Sequence, residues 1–199
     1  MHNNIILAGV GGQGILSIAA VIDLAAIHSG LTIKQAEVHG MSQRGGAVQS
    51  HLRISDRTIH SDLVPSGQAD LILSVEPMEA LRYLPWLRPD GMIVTSTDPV
   101  KNIPNYPDEQ ELQGALEATP HHLLINALQL AKQAGSPRTS NMVMLGAAAA
   151  WTGLAPNALE HGIRELFGRK GEEIVTMNIT AFRSGQQNSN RATQKTAHS

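Results

Sequence analysis

The chain has no cysteine, so it supplies no thiolate to an iron–sulfur cluster, no disulfide and no cysteine nucleophile. Aromatic residues make up 3% of its 199 positions, which leaves little surface for stacking nucleobases. A basic run is also missing: 15 lysines and arginines stand against 17 acidic residues, for a formal net charge of −2. Binding to nucleic acid is not expected from that balance. No apolar stretch reaches membrane-spanning length, and the most apolar helical segment, from Ile15, is interrupted by Ser17, Asp23 and His28. Met1-His2-Asn3-Asn4 leads into a strand rather than a basic leader, so the expectation is a soluble, cytoplasmic protein with no membrane partner. Nine histidines raise the question of a metal. His121 and His122 are neighbours and cannot face one ion in a regular element, His51 and His60 lack a third ligand, and no HExxH spacing occurs, so no metal site is expected.

What is present begins at the N-terminus. Ile5-Ile6-Leu7-Ala8 reads as a buried strand, Gly9-Val10-Gly11-Gly12-Gln13-Gly14 as a tight turn, and Ile15 onward as a helix. A helix N-terminus carries free N–H groups and partial positive charge, and glycines let an anion approach them. Gly9, Gly11 and Gly14 satisfy the dinucleotide-binding spacing, and Glu37 falls near the position, about 20 residues on, from which an acid would hold a ribose. The same glycines would equally serve a helix packed closely on a sheet. Both readings stay open on spacing alone.

Leu31 to Val38 reads as a second strand, expected to lie parallel to the first after a right-handed crossover. A mononucleotide-binding half would then need another crossover helix. Instead His39-Gly40-Met41-Ser42-Gln43-Arg44-Gly45-Gly46 forms a short polar loop, and Ala47 to Ser55 follows with the period of a strand. Asp56-Arg57 reads as a hairpin turn with Thr58 to Ser61 as its returning partner. The two glycine-bearing loops should face one crevice at the carboxyl edge of the sheet, where open α/β sheets bind ligands. The candidate binding residues are Gly9, Gly11, Gly12, Gln13, Gly14, Glu37, His39, Ser42, Gln43, Arg44, Gly45 and Gly46. Arg44 offers a planar, multi-donor cation for phosphate or carboxylate. It would equally serve as a surface arginine paired with Glu37. No residue is assigned as acid, base or nucleophile.

Further along, strands are expected at Ala69 to Val75, Gly91 to Ser96 and Leu123 to Ile125. Helices are expected from Pro77 to about Leu87, Glu109 to Glu117, Asn126 to Ala134, Asn141 to Trp151, Asn157 to Phe167 and Glu172 to Arg183. Glu76 and Glu79 read as helix-start carboxylates. Asp98 to Pro107 is a proline-bearing surface excursion and a candidate partner contact. Asn141 to Trp151 is apolar on all faces and must be buried in its own core or against another chain. Residues 1–185 form one α/β domain in this reading, and the polar segment 186–199 is expected to be disordered.

Gly9 to Leu16, Glu37 to Gly46, Asn141 to Ala147 and Asn178 to Gly185, in that order, resemble the gamma-type subunits of the 2-oxoacid:ferredoxin oxidoreductases over roughly residues 4 to 185. His39 to Gly46 resembles their indolepyruvate, or arylpyruvate, branch. The resemblance implies a Rossmann-like, mostly parallel sheet with helices on both faces and a β-hairpin insertion, as in the gamma domain of the pyruvate enzymes. It also implies a small subunit of a hetero-oligomer that decarboxylates a 2-oxoacid oxidatively to an acyl-CoA. Thiamine diphosphate, magnesium and the iron–sulfur clusters would sit on a larger catalytic subunit, with coenzyme A as co-substrate and ferredoxin reached through the complex. No cofactor is expected to be held firmly by this chain, and alone it should be inactive. A stand-alone NAD or flavin protein and a non-catalytic scaffold are the alternative readings.

Overall fold

The computed structural model describes residues 1–39 and 45–196. Six strands form one mixed sheet: β1 (His2–Val10), β2 (Thr32–His39), β3 (Ala47–Ser55), β4 (Ala69–Ser74), β5 (Leu87–Ser96) and β6 (His122–Ile125), in the spatial order β2-β3-β1-β4-β5-β6. β1, β4, β5 and β6 are mutually parallel, and β3 alone runs against its neighbours. β1 and β2 are therefore parallel in one sheet, as expected, but β3 lies between them.

This order relocates the expected hairpin. β3 pairs with β2 from Thr32↔Ser55 to His39↔Val48 and with β1 from His2↔Ser55 to Val10↔Ala47. Both its edges are filled, so Thr58 to Ser61 has no strand edge to join and stays irregular. His51 and His60 do not meet across a hairpin. His51 is buried, and its Nδ1 accepts from Val64 N at 3.0 Å.

Side chains alternate across the sheet and divide the core in two. Ile5 and Leu7 of β1 face a large apolar layer, while Ile6 and Ala8 face a smaller one. The large layer is covered by α1 (Ile15–His28), α4 (Ala127–Gln133), α5 (Ser140–Ala148), α6 (Pro156–Phe167) and α7 (Glu172–Thr196). The small one is covered by α2 (Pro77–Arg82) and α3 (Glu109–Glu117). α2 ends earlier than its expected boundary because Leu84–Trp86 tightens into a 3-10 turn and Leu87 already enters β5. The stretch from Asn141 to Ala148 is wholly buried. What it packs against is α7: a Cβ on Gly146 would stand 1.8 Å from the Phe182 carbonyl oxygen, and one on Gly185 would stand 2.0 Å from that of Val143.

The expected polar tail is also revised, because α7 continues to Thr196. Gly185, Ser189 and Ala192 recur every three or four residues and share one face. Ser189 is buried and Ala192 rests against the main core, so small residues dock this end without an apolar stripe. No helix among the described residues is long and apolar enough to cross a membrane.

Candidate functional site

α1 leaves β1 toward the large layer, whereas α2 leaves the adjacent β4 toward the small one. The chain thus diverges to opposite faces at the carboxyl ends of β1 and β4. Such a divergence marks the place at which open α/β sheets bind ligands.

The glycine turn lies at this divergence, and its members do different work. A Cβ on Gly9 would lie 2.4 Å from Val75 Cγ2 and 2.8 Å from Ile15 Cδ1, so Gly9 serves packing. Gln13 is a clamp: its Oε1 accepts from Val10 N at 2.7 Å and its Nε2 donates to Val75 O at 3.1 Å, tying β1 to the residue after β4. Gly14 caps α1 in the left-handed conformation (φ 81°), and Asn141 Nδ2 donates to its carbonyl at 3.2 Å. Gly12 stands apart. It is exposed, has φ +101°, and has nothing within 4 Å of where a Cβ would be.

Among the described residues α1 has no side-chain cap and no acid in its first turn. Of the helices that start along the same edge, α2 is capped by Glu76 through Glu79 N, α3 by Asp108 through Gln110 N and Glu111 N, and α4 by Asn126 through Gln129 N, while α5, which starts beside Gly14, has no side-chain cap either. Ser17 N already donates to Gly14 O at 3.1 Å, which leaves the N–H groups of Ile15 and Leu16 for an external acceptor beside an exposed glycine.

The second loop meets the first directly. Gly11 N donates to Gly46 O at 2.8 Å, and Gly45 N to Gly11 O at 3.4 Å. Ser42, Gln43 and Arg44 lie outside the described residues, and His39 is placed by its backbone alone, opposite Val48 at the end of β2. Glu37 is not where a ribose-binding acid would be needed. With β3 interposed it stands two strands, about 10 Å, from β1. Its Oε1 accepts instead from Gln35 Nε2, and it faces Asp23 of α1. Burial first and the Glu37 charge second push the Asp23 carboxyl up to about 6.

Residues that sequence reasoning did not single out complete the site. Asn102, within the proline-bearing excursion, donates from Nδ2 to Gly45 O at 2.6 Å. The same excursion is anchored to the buried Glu76, whose Oε1 accepts from the Tyr106 hydroxyl and from Val100 N. Burial and the bond to Glu76 push the Tyr106 phenol above its usual range. The glycine turn, Gly45 and Gly46 of the second loop, and the excursion thus form one hydrogen-bonded rim. The sequence signals for these contacts were the prolines of the excursion, Glu76 as a helix-start carboxylate and the place of Asn141 in the family motif.

Potential metal ligands converge elsewhere. Among the described residues one trio, His28, His161 and Glu165, brings its donor atoms within 4.8 Å of one another on the exposed side of α1 and α6.

Comparison with known proteins places this architecture. A family model described as pyruvate ferredoxin/flavodoxin oxidoreductase matches residues 4–188. Indolepyruvate oxidoreductase subunit IorB of Archaeoglobus fulgidus is 38% identical over 197 residues, spanning 93% of this chain and 94% of the relative. Among solved structures, the gamma subunit of a keto/oxoacid ferredoxin oxidoreductase from Geobacter sulfurreducens superposes with a TM-score of 0.70 at 27% identity, covering 95% of this chain and 99% of that one. The 2-oxoglutarate:ferredoxin oxidoreductase of Magnetococcus marinus, solved with 2-oxoglutarate, coenzyme A and succinyl-CoA, shares the fold with a TM-score of 0.77 at 24% identity. The match covers 96% of this chain but 31% of that polypeptide.

Proposed function

Because the chain belongs to the pyruvate ferredoxin/flavodoxin oxidoreductase family, as a gamma-type subunit, we propose that it is the small subunit of an arylpyruvate, indolepyruvate-type, ferredoxin oxidoreductase. We further propose that its rim receives the phosphate-bearing part of coenzyme A. In that reading the 2-oxoacid loses carbon dioxide, the acyl group passes to the coenzyme A thiol and an electron pair leaves for ferredoxin. Thiamine diphosphate and the clusters on the larger subunit would supply the carbanion and electron-transfer chemistry. The cysteine-free chain does not fit a cluster, and no step is assigned to it there.

The observation that carries the reading is the uncapped start of α1 beside the exposed Gly12, fastened to the second glycine loop by the Gly11 bonds to Gly45 and Gly46. Backbone N–H groups at a helix start suit a phosphate, and Arg44 would add a charge-assisted donor. Exposed apolar side chains support a docked partner at the same edge: Leu16 in the first turn of α1, Val38 near the end of β2, Ile103 in the excursion and Leu128 in the first turn of α4. The stand-alone NAD reading loses support from the two-strand distance between Glu37 and β1.

The test is reconstitution. The isolated chain is expected to turn over neither a 2-oxoacid nor NAD. Together with its large subunit it should support coenzyme A-dependent ferredoxin reduction with indolepyruvate in preference to pyruvate. Arg44→Ala should lower that turnover while leaving the isolated chain folded, since a loop side chain contributes little to the core. Hydride transfer to NAD by the chain alone contradicts the reading, as does a complex indifferent to coenzyme A.

A further inference from the structure

α1 has two ends with different chemistry. Its 14 residues carry it about 20 Å from the glycine turn to His28, where it meets α6. The two helices are held tightly, because Gly162 of α6 lies so near α1 that a Cβ there would stand 2.7 Å from Val21 O. That contact sets His161 and Glu165, one turn apart on α6, beside His28. His28 Nε2 is 2.6 Å from Glu165 Oε2, His161 Nε2 is 4.0 Å from the same oxygen, and the imidazoles meet edge to face with centroids 4.2 Å apart.

We propose that His28, His161 and Glu165 bind a divalent transition-metal ion of the Zn²⁺ type, stapling the C-terminal turn of α1 to α6. Two imidazoles and one carboxylate are a three-ligand set for zinc that leaves a fourth position for water. Tetrahedral ligands lie about 3.3 Å apart around zinc, so donors already within 4.8 Å need only small rotations of exposed side chains. The imidazoles select zinc, nickel, cobalt or copper over magnesium and calcium. A cation at this end also sits well with the partial negative charge of a helix C-terminus. An exposed His28–Glu165 pair by itself contributes little, and His161, one turn from Glu165 on α6, brings a second imidazole to the same oxygen.

The test uses the full chain, stripped with a chelator and titrated by calorimetry and thermal unfolding with ZnCl₂ and with MgCl₂. Zn²⁺ is expected to bind one per chain and, at a hundredfold excess over its Kd, to raise the unfolding midpoint by about 5 to 10 °C. Mg²⁺ should have no effect. His161→Ala and Glu165→Gln should each weaken zinc binding about tenfold or more, with circular dichroism confirming that they fold. His121→Ala, at the opposite edge of the sheet, should bind as the parent does. No zinc-dependent shift, an equal shift with Mg²⁺, a shift retained in full by His161→Ala or one abolished by His121→Ala each overturns the proposal.

Discussion

Asp23 is a carboxylate held at a cost. It sits on α1 against Glu37 of β2, its Oδ1 is buried without a hydrogen-bond partner among the described residues, and its pKa is raised to about 6. A carboxyl whose folded pKa exceeds its unfolded value supports the fold while protonated. That support is present in full below the unfolded pKa and is lost as pH rises through about 6. Asp23→Asn should therefore stabilise the chain at pH 7.5 by about 1 to 2 kcal/mol, a figure reduced for solvent screening, and have a much smaller effect at pH 4.5. Urea unfolding at the two pH values measures the difference, and an equal change at both contradicts the assignment. The residue scale is also where the sequence was read least completely. The glycines of the turn were visible as a motif, but their division of labour was not. Gly9 fills no space because Val75, distant in sequence, takes it, and Gln13 is spent on two backbone groups that only the folded sheet brings together. Asn102 reaches Gly45 across 57 positions, a contact without periodicity or local spacing.

At the scale of elements, local patterns carried further. α3 lies where the sequence placed it, and α4 and α6 match their expected limits to within a residue or so. The end of α7 was missed because the reading looked for apolar periodicity, whereas Gly185, Ser189 and Ala192 dock by being small. The α5–α7 crossing makes a sharp contrast available. Gly146→Ala would drive a Cβ into the Phe182 carbonyl, forcing apart two helices of the main core, and should cost about 3 kcal/mol, or roughly 10 °C in midpoint. Gly114→Ala, in the exposed middle of α3 with nothing within 4 Å, should instead stabilise by about 0.5 to 1 kcal/mol through helix propensity. Differential scanning calorimetry of the two variants decides. A Gly146→Ala chain as stable as the parent would mean that the crossing is looser than drawn.

For the whole molecule, the class of fold and the shared edge of the two loops were legible, since both follow from parallel strands joined by a right-handed crossover. Strand order was not. Nothing local tells β3 to insert between β1 and β2 rather than to form a hairpin with the segment after it. That choice depends on which edges are free once the sheet assembles. The insertion has a functional consequence, because it moves Glu37 away from the glycine turn and brings Gly45 and Gly46 onto Gly11. In the proposed reading that edge receives a phosphate-bearing ligand shared with a larger subunit rather than a dinucleotide held by this chain alone. The most direct measurement is the coenzyme A saturation curve of ferredoxin reduction by the reconstituted complex, with the parent chain and with Gly12→Val. Gly12 is open and left-handed, so a branched side chain there obstructs the start of α1 without entering the core. The account predicts a complex that still assembles but whose kcat/KM for coenzyme A falls about tenfold or more; a saturation curve unchanged by the substitution would contradict it.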